Sequence, residues 1–153
     1  MGCIGIDICD SVVALIQSED VQAELKPLYN NEDFDVERSL VFDDDSADLE
    51  RLKIRVTPGQ ITNLKNLRVR SEYDYIVGVS LRDRIYDPEE DVAKLGEFAD
   101  RLFMILQKSK HAVDGVTGLE LRNIESPSLY NVSSLEGVAC YDSLILLEFG
   151  YFR

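Results

Sequence analysis

The residues able to do acid–base or nucleophilic chemistry are few in kind. His111 is the sole histidine, so any Ser-His-Asp or Cys-His arrangement would have to be built on it. It follows Lys110 where a helix is expected to end, and a cation there complements the partial negative charge of the last carbonyls. Capping therefore suits it better than catalysis. Cys3, Cys9 and Cys140 are odd in number and lack CxxC spacing, which points to buried thiols rather than disulfides or a metal site. Asp43, Asp44, Asp45 and Asp48 offer hard oxygen ligands, but without EF-hand spacing or its central glycine they read as a solvated acidic turn. The phosphate-binding and zinc signatures GxGxxG, GxxxxGK[ST] and HExxH do not occur. Among 29 acids nothing singles out a catalytic pair. The expectation is a protein that is not an enzyme and uses no cofactor or metal.

What the sequence offers instead is charge. The net charge is −13, which disfavours direct nucleic-acid binding over most of the surface because phosphate affinity is built from Lys and Arg. Residues 19–50 hold twelve acids and two bases, Lys26 and Arg38, whereas residues 51–71 hold six bases and no acid. The plain reading is an acidic loop beside a strand with a basic wet face. The sharper one is a self-complementary surface, the basic block of one subunit meeting the acidic block of the next.

The elements that position these blocks centre on residues 72–108. Tyr73, Tyr75, Val77, Val79 and Leu81 alternate with polar or small residues, the pattern of a half-buried strand. Asp87-Pro88-Glu89-Glu90 then supplies an N-cap oxygen, a pre-set φ and acids at the positive helix end. Val92, Leu95, Phe98, Ala99, Leu102, Phe103 and Leu106 follow at helical spacing. Burying each large apolar residue of that stripe stabilises by roughly 1.5 to 3 kcal/mol, so this helix is expected to dock on the 73–81 strand as the heart of the core.

Ile4, Ile8, Val12, Leu15 and Ile16 predict a first helix over 4–18. Residues 22–29 read as an extended edge segment with Pro27, and 30–50 as irregular and acidic. Leu52, Ile54 and Val56 predict a strand stopping at Thr57-Pro58-Gly59. Residues 57–71 then read as a long loop, and such loops in compact domains tend to bind. Gly115 and Gly118 bracket a turn, Leu119 and Leu121 open a strand that Pro127 ends, and residues 138–152 form a last strand apolar on both faces in its middle.

The fold class expected is α+β: a mixed, mostly antiparallel sheet of four to five strands packed against two helices, in the order α-β-β-β-α-β-β, over one domain spanning 1–153. At 153 residues, 45% of them hydrophobic, the chain can bury its own core. With no apolar run of membrane length and no basic signal-like start, it reads as intracellular, soluble and off the membrane. Met1-Gly2-Cys3 is a poor acylation start because Ile6 stands where Ser or Thr is wanted.

Three stretches carry a family resemblance: Leu52-Lys53-Ile54-Arg55-Val56-Thr57-Pro58, Arg70-Ser71-Glu72-Tyr73-Asp74-Tyr75-Ile76-Val77-Gly78-Val79, and Glu89-Glu90-Asp91-Val92-Ala93-Lys94-Leu95. In spacing and residue type they resemble the tail-terminator (tail-completion) proteins of long-tailed bacteriophages over most of the chain, residues 19–50 departing most. The resemblance implies a virion protein assembled in the host cytoplasm. It would form a ring, a hexamer, that caps the head-proximal end of the tail tube, stops tube growth and meets the neck. Its partners would be itself, the tail tube protein and the neck or head-tail connector protein, with DNA passing through the lumen without specific binding. Another neck, head-completion or tail tube protein is the alternative, and a small-ligand-binding regulatory domain a more distant one. In the ring reading Lys65, Arg68 and Arg70, with Ile61 and Leu64, face a neighbouring subunit or the last tube ring. Asp43, Asp44, Asp45, Asp48 and Glu50 form the complementary acidic patch or line the lumen.

Overall fold

The computed structural model describes residues 4–39, 51–66, 71–135 and 138–152. Its elements are helices α1 (Ile4–Gln17) and α2 (Glu19–Leu25), a 3-10 turn (Lys26–Tyr29), strands β1 (Asp35–Arg38), β2 (Lys53–Asn66) and β3 (Ser71–Arg84), helix α3 (Pro88–Lys108), and strands β4 (Thr117–Leu135) and β5 (Val138–Phe152). The strands form one mixed sheet in the order β1-β2-β3-β5-β4. β1 runs parallel to β2 and every other pair is antiparallel. This is the expected α+β architecture with five strands.

Alternation decides which way each strand faces. In β3 the odd residues Tyr75, Val77, Val79 and Leu81 are buried, as are Tyr141, Ile145, Leu147, Phe149 and Tyr151 in β5. Both strands thus turn their odd positions to the helices and their even positions to the opposite face. α1 contributes Ile8, Val12 and Ile16 from a single stripe and lies over β1, β2 and β3.

α3 begins as its sequence dictates. The Asp87 carboxylate accepts from the N–H groups of Glu89 and Glu90 at 3.2 and 3.4 Å, with Pro88 in the first turn. Asp91 reaches back to accept from Tyr86 N at 2.7 Å and Asp87 N at 3.0 Å. Burial works against its ionisation, but those two donors hold its carboxyl below the usual range. Leu95, Phe98, Ala99, Leu102 and Leu106 are buried, but α3 makes its main sheet contacts with β4 and β5 and leans on the 3-10 turn, rather than on β3 as expected. α1 takes the place over β3, which leaves α3 the other half of the sheet.

Three local expectations are corrected. Residues 22–29 are helical, not extended: Val21 and Leu25 form an i, i+4 apolar pair at the core, and Pro27 sits in the first turn of the 3-10 segment, where its missing N–H costs nothing. The strand filling that place in the order is β1, within the stretch read as irregular, and the described residues form three α-helices rather than two.

Residues 57–66 are strand rather than loop, so β2 and β3 form a long hairpin joined through 67–70. The proline does not stop β2: among the described residues β1 pairs with residues 53–56 and leaves Pro58 on an edge, and the register shifts between Pro58 and Ile61. β4 likewise runs through Pro127 as an edge strand, with a register shift between Glu125 and Ser128. The turn before it is as read, Gly115 and Gly118 taking φ of 79° and 67°.

Candidate assembly interface

The residues singled out for assembly divide by position. Ile61, Leu64 and Lys65 lie on the distal half of β2, in register with Tyr75, Tyr73 and Glu72 of β3. Arg68 and Arg70 lie outside the described residues, as do Asp43, Asp44, Asp45, Asp48 and Glu50. Pairing of β2 with β3 continues to Asn66↔Ser71, next to the Glu72↔Phe152 pair of β3 with β5.

The opposite charge of the two blocks is used in part within one chain. β1 belongs to the acidic block and β2 to the basic one, and the two lie side by side. Arg55 Nε donates to Glu37 Oε1 at 3.0 Å, and Arg51 Nη2 is 2.7 Å from Asp35 Oδ1. Arg38 bridges from β1 to Asp10 of α1 at 2.9 Å, and Lys26 meets Asp33 at 2.9 Å. These pairs are largely solvated, so each contributes little to stability. Their value lies in fixing the parallel register of a four-residue strand. Arg51 and Arg55 of the basic block are thereby engaged within the chain, which sequence adjacency alone did not reveal.

The two sides of the molecule differ. On the sheet face away from the helices, Ile76, Leu144 and Leu146 are half-buried around Gly78, where an added Cβ would stand 3.7 Å from Leu144 Cδ1 and 4.0 Å from Leu146 Cδ2. Toward one end of that face Lys53, Arg82 and Asp142 share a row across three strands, and Arg82 Nε donates to Asp142 Oδ1 at 2.6 Å. On the helix side, a groove of about 610 Å³ runs between α2 and α3. Val21, Met104 and Ile105 give it an apolar lining, and Asp20, Glu24, Glu97 and Asp100 outnumber Arg101 and Lys108 on its walls. Met104 is 43% exposed there, unusual for a large apolar side chain in this molecule.

The titratable groups elsewhere serve structure. His111 is buried, lies edge-on to Phe149 with ring centroids 5.0 Å apart, and has Nε2 3.3 Å from the Leu106 carbonyl, which can only accept. It caps α3 as expected, but burial lowers its pKa, so it acts as a neutral donor and not as the cation first envisaged. Tyr29 and Asp83 form a buried pair that sequence reading missed. Tyr29 Oη donates to Asp83 Oδ2 at 3.0 Å and accepts from Leu52 N at 3.0 Å, while Asp83 Oδ1 accepts from Arg84 N at 2.8 Å. Burial pushes the Asp83 carboxyl above its ordinary range and the Tyr29 phenol well up. Cys9 and Cys140 are buried thiols, and burial raises the Cys140 pKa, the opposite of activation. Cys3 lies outside the described residues. Among the described residues, no group of three or more His, Cys, Asp or Glu side chains is placed to hold a metal ion, and no helix is long and apolar enough to cross a membrane.

The described residues form a two-layer α+β fold, helices on one face of a five-stranded sheet. No family model matches the chain, and no curated protein matches it. Among solved structures, it is similar to a chain from "Virion of native gene transfer agent (GTA) particle", with a TM-score of 0.59 at 9% identity, covering 100% of both chains. A second solved chain, 14% identical over 89% of this chain and 95% of its own length, reaches a TM-score of 0.43. At 9% identity the first likeness establishes a shared fold from end to end.

Proposed function

We propose that this chain is a structural virion protein, a tail terminator whose copies close into a ring, a hexamer, at the head-proximal end of a phage tail tube. The observation that carries the reading is the full-length fold shared with a chain of a virion particle. The three stretches that resemble the terminator family support it, their described residues falling on β2 and the residue before it, on β3, and on the start of α3. In this reading the subunit is not an enzyme. Its partners are other copies of itself, the tube protein below and a neck protein above. DNA crosses an acidic lumen without specific binding, since counterion release rewards only cationic contacts.

Lys65, Arg68 and Arg70, with Ile61 and Leu64, are the proposed contact with a neighbouring subunit or tube ring. The acids at 43, 44, 45, 48 and 50 are proposed to face the lumen or the adjoining copy. Reversing Lys65, Arg68 and Arg70 to Glu should abolish capping of tail tubes while the monomer keeps its melting temperature. Normal capping by that variant rejects the role given to these residues. Electron microscopy of the purified protein separates the neighbouring assignments: single rings fit a terminator, and unlimited tubes fit a tube protein.

A further inference from the structure

We infer that the groove between α2 and α3 seats a cationic amphipathic helix of a different protein. Its apolar lining is Val21, Met104 and Ile105, and its volume is about 610 Å³. Met104 is 43% exposed, so a side chain whose burial would be favourable is held in water. Acids stand on both walls, Asp20 and Glu24 one turn apart on α2 and Glu97 and Asp100 one turn apart on α3. All four are exposed, and among the described residues none of the four carboxylates forms an ion pair. Asp35 and Glu37 differ, since Arg51 and Arg55 engage them within the chain.

These features fix the chemistry of the guest. Four carboxylates against Arg101 and Lys108 favour cations and repel phosphate, which sets nucleic acids and lipid headgroups aside. Met104, unbranched and polarisable, adapts to the apolar side chains that arrive between those cations. The walls are helices, whose backbone N–H and C=O groups are bonded within each helix, so they offer a guest no strand edge to pair with. A helical guest needs none, because its own backbone is satisfied internally. The α3 wall runs about 17 Å from Glu97 to Lys108, which matches a guest of about three turns. That guest is not a described helix of a second copy: α1 and α2 contain no Lys or Arg, and in α3 five acids outnumber three bases. The seat is independent of whether copies of this chain form a ring.

A peptide of about 18 residues with Leu and Lys at helical spacing, long enough to hold a helix in water, is the probe. It is titrated into the full chain carrying isotope-labelled methionine methyl groups. Met104 is one of two methionines, and its signal is identified by its loss in Met104→Leu. That signal should shift as peptide is added. Glu97→Lys with Asp100→Lys should keep the wild-type melting temperature and weaken binding by about tenfold or more. Glu32→Lys with Asp114→Lys makes the same charge change at exposed residues outside the groove lining and should weaken it by about threefold at most. A peptide of the same composition, scrambled to lose its apolar stripe, should bind about tenfold more weakly. Equal weakening by both reversals, equal binding of the scrambled peptide, or a Met104 signal that stays in place at saturation overturns the seat. Should the groove reversal melt early, Glu97→Gln with Asp100→Asn takes its place, and undiminished binding by that pair overturns it too. A groove reversal that melts like wild type but loses self-assembly gives the groove to a second copy and also overturns it.

Discussion

Replacing Tyr29 by Phe tests the buried polar pair that ties the 3-10 turn to the sheet. The change removes one oxygen that makes two bonds, donating to Asp83 and accepting from the Leu52 amide, each at 3.0 Å. Both partners stay behind in a setting where Tyr29 is 5% and Asp83 8% exposed. An orphaned buried amide costs about 1 to 3 kcal/mol and a lost hydrogen bond to a charged group about 1.5 to 3. Since the two losses share one site and overlap, the expected destabilisation is about 2 to 4 kcal/mol at pH 7. The edge-to-face contacts of the ring with Phe34 and Phe98, at 6.3 Å each, survive the change.

The pH dependence carries a sign. Asp83 has a raised pKa in the folded state, so the native chain holds that proton more tightly than the unfolded one, and stability falls as pH rises through the folded pKa. Tyr29 donates to the ionised form, so the cost of Tyr29→Phe should shrink at acid pH, where Asp83 is protonated. Asp83→Asn deletes the buried charge but leaves one oxygen for two donors: with Oδ1 on the Arg84 amide, Nδ2 faces Tyr29 Oη and donates to it, so the change should cost about 1 to 2 kcal/mol, less than Tyr29→Phe. Urea denaturation followed by far-UV circular dichroism, at one protein concentration, measures all three. A Tyr29→Phe chain within about 0.5 kcal/mol of wild type, or an Asp83→Asn chain as damaged as it, refutes the reasoning.

Other outcomes are equally specific. Asp87→Ala removes the cap that accepts from Glu89 and Glu90 and should cost about 0.5 to 2 kcal/mol in the same urea assay. For His111, whose folded pKa is lowered, stability is fully present above about pH 6.5 and is lost as pH falls below it, with a slope of at most about 1.4 kcal/mol per pH unit. His111→Phe should flatten that dependence below about pH 6.5 in thermal melts. Gly59→Ala would bring a Cβ to 2.2 Å from the Ile76 carbonyl oxygen, a backbone atom that cannot swing aside. The strand must shift, and an early melt with a loss of about 1 to 3 kcal/mol is expected.

What could be read from the sequence was whatever a single periodicity or cap settles. α3 announced itself through Asp87, Pro88 and the Leu95 to Leu106 stripe, and β3 through strict alternation. In β5, Leu144 and Leu146 interrupt no pattern because they occupy the second face of a central strand. The two misplaced strand ends share a cause, which is that proline does not always stop a strand. Pro58 and Pro127 sit on edges beside register shifts, where a missing N–H is harmless, and edge status depends on which strands pair at long range.

α2 was missed although Val21 and Leu25 stand four apart behind two acids suited to a helix start. That signal was present in the sequence. The pairing of Tyr29 with Asp83 spans 54 residues, and no local pattern marks it. The same holds for the α2–α3 groove, whose acids come from two separate helices. Charge asymmetry between residues 19–50 and 51–71 was plain in the sequence, but its partial cancellation through Arg51–Asp35 and Arg55–Glu37 needed the parallel pairing of β1 with β2.

The central claim is that copies of this chain close into a ring. Native mass spectrometry of the purified protein, with single-particle images of the same sample, tests it most directly. One dominant species of a fixed small multiple of the subunit mass, six by this account, seen as closed rings with an open centre, is the predicted result. A monomer that persists as concentration rises, or filaments of unlimited length, contradicts it.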